Sequence, residues 1–350
     1  MSENGNKLLS ENFIVFIIIL AMKGSGMIRT RLILLIAWSI ISIGSLVSVR
    51  EAELQQVTLL LDWFPNADHV PICVAKETGI FAKYGLEIEL VPPTDPADPI
   101  KLVAAGKFPL AVSYQPSVTI ARAAGLPIKS IGVLVDHPLN TISFLEKSEI
   151  EVPSDLRGKK IGYTVAPLDV ILFETIAQKA GLVKDDYELI SIGFNISPSL
   201  LSGSVDAVIG AFWNYEINEL LLEGVDANYF PLEEHGVPDY YELVFITNDK
   251  YLLENREIIR EFVLAIKEAI KMTKEHPYEA LTSYFTANPD VRKDLDLLAF
   301  AATLPMFAKS QRQSKEKWEE FTSFGLQNKL IEKKIKATDL FDNVLVGGGN

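Results

Sequence analysis

Leu61-Asp62-Trp63-Phe64-Pro65-Asn66-Ala67-Asp68-His69 brings together a stacking ring, an amide, two carboxylates and an imidazole in one short run. Gln56 to Leu61 reads as a buried β-strand, and Val70 to Glu77 opens a helix. The run therefore stands at the carboxyl end of a strand, where open α/β sheets place their ligands. The plain structural alternative is a turn punctuated by Pro65, with Trp63 as core filler.

Strand and helix signals alternate outward from this run. Val57–Leu61, Leu86–Val91, Leu110–Ser113 and Ile128–Leu134 read as strands. The helical signals between them are Pro71–Phe81, Pro99–Ala105 and Pro116–Ala124, with Gly79, Gly106 and Gly125 in capping positions. A second alternating block runs from Gly158 to Pro231, and its signals include a helix over Trp213–Leu222. A strand over Glu242–Thr247 follows, and then an almost wholly helical stretch from Asp249 through Gly325. Such alternation predicts parallel sheets with right-handed crossovers. The amphipathic helical stretch needs cover, and packing it back onto the first block provides that. The fold class is thus α/β, with two blocks and a helical tail.

The opening run and the Ala75-Lys76-Glu77-Thr78-Gly79-Ile80-Phe81 helix end resemble the start of ABC-importer receptors for thiamine pyrimidine precursors. These are relatives of sulfonate and nitrate binders and of the fungal pyrimidine synthase of thiamine biosynthesis. Further matches are Val112-Ser113-Tyr114-Gln115-Pro116, Gly158 to Tyr163, Leu201 to Gly210, and Trp213-Asn214-Tyr215-Glu216. They extend over about residues 55 to 325.

The resemblance implies a bilobal clamp of the periplasmic-binding-protein type (type II), two α/β lobes joined by two crossing strands near Thr141–Leu145 and Glu242–Thr247. Its divisions would be a signal or anchor segment over 1–54, a first lobe from 55–142 and 244–340, a second lobe over 143–243, and a flexible tail over 341–350. It also implies a small heteroaromatic ligand, permease and ATPase subunits as partners, and an extracytoplasmic location. The alternatives are the same receptor holding riboflavin, a sulfonate or nitrate, or a pyrimidine synthase. The synthase requires a lysine and a histidine where this chain has Ser113 and Ser117, and cysteines where it has Pro238-Asp239-Tyr240-Tyr241.

A substituted aminopyrimidine is flat and carries a ring nitrogen beside an exocyclic amine. Its site needs aromatic faces and a carboxylate that accepts from the amine. Trp63, Trp213, Tyr114 and Tyr215 are the candidate faces. Glu216 is the first candidate carboxylate and Asp62 the second. The expected helix places Trp213 and Glu216 on one face of its first turn; a carboxylate that merely complements the helix N-terminus would look the same. Ser113 and Gln115 gather a hydroxyl and an amide at a helix that Pro116 is suited to begin, which a simple helix cap would also explain. Asn66 and His69 match family positions that point into the cleft, although either can serve to brace the loop. Asn195 precedes a helix and is a candidate polar contact.

Composition narrows the alternatives. The chain has 350 residues, a net charge of −13 and 48% hydrophobic content, enough for a large core. No basic stripe offsets the acidity, which argues against a nucleic-acid partner. Cys73 is the single cysteine, so no intrachain disulfide or cysteine-based metal site is possible, and its apolar neighbours suggest a small buried hydrophobe. The four histidines are scattered, and no metal or cofactor is called for.

Apolar runs over Phe13–Met22 and Leu32–Val49, the second preceded by Arg29 and Arg31, have the layout of a secretory signal. They leave a cleaved signal and a retained anchor both open, and Met27 is an alternative start. This segment would be the chain's only contact with a membrane.

Overall fold

The computed structural model describes residues 53–345. The signal or anchor expected over 1–54 therefore lies almost wholly outside the described residues, as does the last part of the expected tail. No helix among the described residues is long and apolar enough to cross a membrane.

Two five-stranded sheets organise the chain. The first uses β1 (Gln55–Leu60), β2 (Leu86–Val91), β3 (Leu110–Ser113) and β4 (Ile128–Val135). The second uses β5 (Asn140–Leu145), β6 (Lys160–Tyr163), β7 (Glu188–Ser191), β8 (Ala207–Phe212) and β9 (Ala227–Pro231). The last strand, β10 (Leu243–Asn248), returns to the first sheet. The orders are β2-β1-β3-β10-β4 and β7-β6-β8-β5-β9. In each sheet three neighbouring strands run parallel, and a fourth pairs antiparallel with the last of them: β10 with β3 in the first sheet and β5 with β8 in the second.

Each sheet therefore has a topological switch, and strand ends meet between the lobes. The expectation placed the crossings at Thr141–Leu145 and Glu242–Thr247. Those stretches are almost entirely ladder strands, and the chain passes from one sheet to the other through residues 136–139 and 236–242 instead. A run of β-branched and aromatic residues gains more by pairing inside a sheet than by spanning solvent.

The helices are α1 (Val70–Glu77), α2 (Ile80–Lys83), α3 (Asp98–Ala104), α4 (Gln115–Ala123), α5 (Leu168–Lys179), α6 (Ile196–Ser202) and α7 (Glu216–Leu222). After β10 come α8 (Asp249–Glu254), α9 (Arg256–Glu275), α10 (Pro277–Ala287), α11 (Lys293–Thr303), α12 (Lys315–Gln327) and α13 (Ala337–Leu340). The expected helix Pro71–Phe81 is two helices, because Gly79 adopts a left-handed backbone (φ 75°) between them.

The amphipathic α9 buries Ile259, Phe262, Val263, Ile266 and Ile270, and packs with α10 against α1. The helical tail thus covers the first block. Its largest buried side chain, Trp318 of α12, stacks on Phe341 at a centroid distance of 5.7 Å.

Candidate ligand cleft

A cavity lies between the lobes. On the first-lobe side it is lined by Asp62, Trp63, Asn66, Asp68 and Tyr114, and on the other by residues from the ends of β5, β6 and β8 and from the first turns of α5, α6 and α7.

The first-lobe wall grows out of β1. After Leu61 the chain leaves the sheet, and the Asn66 side chain caps a short 3-10 turn by accepting from Asp68 N (2.9 Å). That turn brings His69 back beneath the loop, where Nδ1 accepts from Asn66 N (3.3 Å). With Nδ1 an acceptor, a neutral imidazole carries its proton on Nε2. Nε2 then donates to Asp62 Oδ1 (2.9 Å), and Tyr114 OH donates to Asp62 Oδ2 (3.1 Å). Both Asp62 oxygens are thus fixed by side chains. Burial raises the Asp68 carboxyl to about 6, against the bonds it accepts from Thr303 and Asn214.

On the second-lobe wall the expected helix over Trp213–Leu222 begins only at Glu216, because β8 continues to Phe212 and the chain turns there. Glu216 Oε2 accepts from Phe212 N (2.6 Å), tying the first residue of α7 to the end of its own strand. Burial pushes this carboxyl up to about 8. Asp169, in the first turn of α5, folds back onto the loop before it. Its Oδ2 accepts from Thr164 N (2.9 Å), Val165 N (2.7 Å) and Thr164 Oγ1 (2.8 Å).

The lobes touch around the cavity. Asn214 Nδ2 donates to Asp68 Oδ1 (2.7 Å) and to Thr303 Oγ1 (2.6 Å), joining the second lobe to a fully buried corner of the first. Trp63 packs edge-on against Phe194 at 4.6 Å, and Arg292 pairs with Glu223 at 2.6 Å.

Of the residues anticipated from sequence, Asp62, Trp63, Asn66, Tyr114, Tyr215 and Glu216 line the cavity. Five do not. His69 is fully buried and braces Asp62. Ser113 lines a neighbouring apolar cavity beside α3, α4 and the Val165–Leu168 loop. Gln115 accepts from Tyr241 N (2.8 Å) and donates to Lys317 O (3.3 Å), stapling α4 to the second crossing and to α12. Asn195 is exposed and donates to Ile192 O (3.2 Å). Trp213 precedes α7 rather than joining its face. It donates through Nε1 to Pro138 O (3.3 Å) and through its backbone to Leu139 O (3.0 Å), which anchors the first crossing.

Lining residues that the sequence reading missed include Asn140, Thr164, Asp169, Gly210 and Phe212. Asp169 was accessible to the rule that found Asp62, since it follows the carboxyl end of β6. Among the described residues no group of three or more His, Cys, Asp or Glu could hold a metal ion. Cys73 is buried, and burial pushes its thiol up to about 11. His137 is within ion-pair distance of Asp239 (2.9 Å) and Glu233 (3.5 Å).

A family model described as NMT1/THI5 like matches residues 66–280. A putative thiamine biosynthesis protein of Haemophilus influenzae is 38% identical, covering 83% of this chain and 93% of that protein. A formylaminopyrimidine-binding protein of Halalkalibacterium halodurans is 35% identical over 84% of this chain and 92% of its own length. A 4-amino-5-hydroxymethyl-2-methylpyrimidine phosphate synthase of Candida albicans is 31% identical over 77% and 82%.

Among solved structures, the alkanesulfonate-binding protein of Xanthomonas axonopodis superposes with a TM-score of 0.67 at 16% identity, covering 83% of this chain and 99% of that one. A Candida albicans protein described as having the generic periplasmic binding protein fold gives 0.62 at 17% identity over 83% and 96%. These likenesses establish the fold, an α/β periplasmic-binding-protein architecture.

Proposed function

The chain belongs to the NMT1/THI5-like family, and from that premise we propose that it is the extracytoplasmic substrate-binding protein of an ABC importer, carrying a thiamine pyrimidine precursor for salvage. The precursor is a formylaminopyrimidine or a hydroxymethylpyrimidine-like molecule. The permease and ATPase of the importer are its partners, and the N-terminal apolar segment directs export or anchors the protein.

One observation carries the reading: a single cavity between two lobes is lined by a buried carboxyl group, Glu216, and by the rings of Trp63, Tyr114 and Tyr215. Rings stack on a flat heterocycle, and a carboxyl group forms two hydrogen bonds to an aminopyrimidine edge. The pairing tolerates either location of its proton. A protonated Glu216 donates to the ring nitrogen and accepts from the amine; an ionised Glu216 accepts from a pyrimidinium and from the amine. Binding rather than synthesis is favoured because the lining contains no lysine or histidine. Ser113 and Ser117 stand where the synthase resemblance requires those residues.

Calorimetry with the formylated and hydroxymethyl aminopyrimidines tests the reading. Glu216→Gln keeps the shape but exchanges one oxygen for a donor, and is expected to cost about 1.5–3 kcal/mol of affinity. The pH dependence has a defined sign. The pair needs one proton, and free Glu216 keeps its own up to about 8. Affinity is therefore level below that pH and falls above it, approaching tenfold per unit. It falls again at acid pH once the free ligand is protonated, since one of the two protons must then leave. The Gln variant loses the alkaline fall. Wild-type affinity in that variant across the whole range would remove Glu216 from the site.

A further inference from the structure

We propose that Asp169 sets the charge class of the ligand. Its carboxylate fills, from within the chain, a cradle of donors that would otherwise receive an anion, so the cleft admits a neutral or cationic heterocycle and rejects phosphorylated and sulfonated ones. The proposal deepens the reading above and rests on the same cavity being the ligand site.

Three donors converge on one Asp169 oxygen: Thr164 N, Val165 N and Thr164 Oγ1, all within 2.9 Å. Asn140 Nδ2 reaches the other oxygen at 3.4 Å. Backbone N–H groups converging beside the first turn of a helix are what binds phosphate and sulfonate groups elsewhere. Here that position lies in the cavity wall but is already occupied, and Asp169 is only 1% exposed.

The opposite strand is shaped to keep the carboxylate in place. Gly210 of β8 has φ +102°, and a Cβ there would come within 2.6 Å of Asp169 Oδ2 and 2.5 Å of Thr164 Oγ1. Its N–H donates to Asn140 Oδ1 (3.0 Å), which orients the amide that reaches Asp169. The strand thus lacks a side chain where the internal anion sits.

The remaining carboxyl groups in the cavity wall are those of Asp62, Asp68 and Glu216; no lysine or arginine lines it. An incoming anion would meet acceptors on both walls and find the convergent donors taken. A protonated or neutral aminopyrimidine meets the acceptors it needs.

Two sets of titrations on the purified protein test this. In the first, the hydroxymethyl aminopyrimidine is compared with its phosphate ester. The wild type is expected to bind the ester at least about 100-fold more weakly, the scale of a like-charge mismatch in a desolvated site. In Asp169→Ser that gap narrows by about tenfold or more as the donors become free. In the second, inorganic phosphate and sulfate serve as probes: the wild type shows no binding at millimolar concentration, and Asp169→Ser gains it.

Wild-type protein that binds the ester as tightly as the alcohol, or that binds either inorganic anion, overturns the proposal. So does an Asp169→Ser protein with wild-type circular dichroism and no gain for any anion, the result a merely loop-bracing role predicts. If the Ser variant does not fold, Asp169→Asn, which removes the charge but keeps an acceptor in the cradle, is expected to narrow the gap between alcohol and ester without gaining the inorganic anions, and a gap as wide as that of the wild type overturns the proposal. Should neither pyrimidine bind the wild type, the pyrimidine reading fails by itself, and the inorganic-anion titrations still decide the role of Asp169.

Discussion

Asp62 on the first-lobe wall is held by the imidazole of His69 and the hydroxyl of Tyr114, whereas Asp169 and Glu216 on the second-lobe wall are held largely or wholly by main-chain N–H groups. Side-chain partners can be exchanged or can reverse their donor and acceptor roles. Main-chain N–H groups cannot: they are fixed by the path of the loop, and removing their acceptor leaves them buried and unpaired. The second wall is therefore written into the fold, and the first is an assembly of replaceable parts. Glu242, in the second crossing, follows the second-wall pattern. It accepts from Leu139 N (2.7 Å), Asn140 N (2.9 Å) and Tyr240 OH (3.2 Å).

The strongest test of this contrast is Glu242→Ala, which strips two buried N–H groups of their acceptor at the joint between the sheets. It is expected to lower stability by about 2–4 kcal/mol in urea unfolding. A loss under about 1 kcal/mol would show that main-chain-held carboxylates are as replaceable as the others.

A smaller effect separates the two tryptophans. Trp63→Ala removes a cavity ring that also packs on Phe194, and should weaken pyrimidine binding by more than about 1 kcal/mol. Trp213→Phe removes only the bond to Pro138 O and should change affinity by less than about threefold while lowering the melting temperature. Fluorescence titration and thermal unfolding of both variants check the pair; a reversed pattern would put Trp213 on the ligand.

Smallest is Asp62→Asn. The amide keeps an oxygen for His69 Nε2–H, and Tyr114 can turn its hydroxyl to accept from the new NH₂, so the stability cost is expected to be about 1 kcal/mol or less. A cost as large as that of Glu242→Ala would erase the distinction between the walls.

The sequence made these walls unequally visible. Short apolar runs that follow glycine turns marked β2 and β3 with the boundaries they have, because such a run is a local signal. The start of α7 was misplaced at Trp213 because Phe212-Trp213-Asn214-Tyr215 contains neither proline nor glycine to mark the turn. That error put Trp213 on a helix face it does not share. Gln115 looked like a ligand group because its partners, Tyr241 and Lys317, lie 126 and 202 residues away. His69 was harder: only the turn capped by Asn66 determines that it faces Asp62 and not the cavity. Asp62 was legible because it sits where a strand ends, and Glu216 because it stands in the first turn of a helix at the close of the Trp213-Asn214-Tyr215-Glu216 match. Asp169 sits at such a place too, but its neighbours Val165, Ala166, Pro167 and Leu168 drew no attention to it.

The return of β10 to the first sheet also orders the assembly of the chain in time. Every strand of the second sheet has been made once Pro231 is reached. In the first sheet, the ladder partner of β4 is β10, and β3 lacks one of its two neighbours until Leu243–Asn248 exists. A nascent chain ending before residue 243 therefore carries one sheet able to close and another split open, with the apolar edges of β3 and β4 unpaired. Those edges are the segments a chaperone would have to shield, and a fragment truncated there is expected to aggregate through them. The strand made last is the one that makes the first lobe whole.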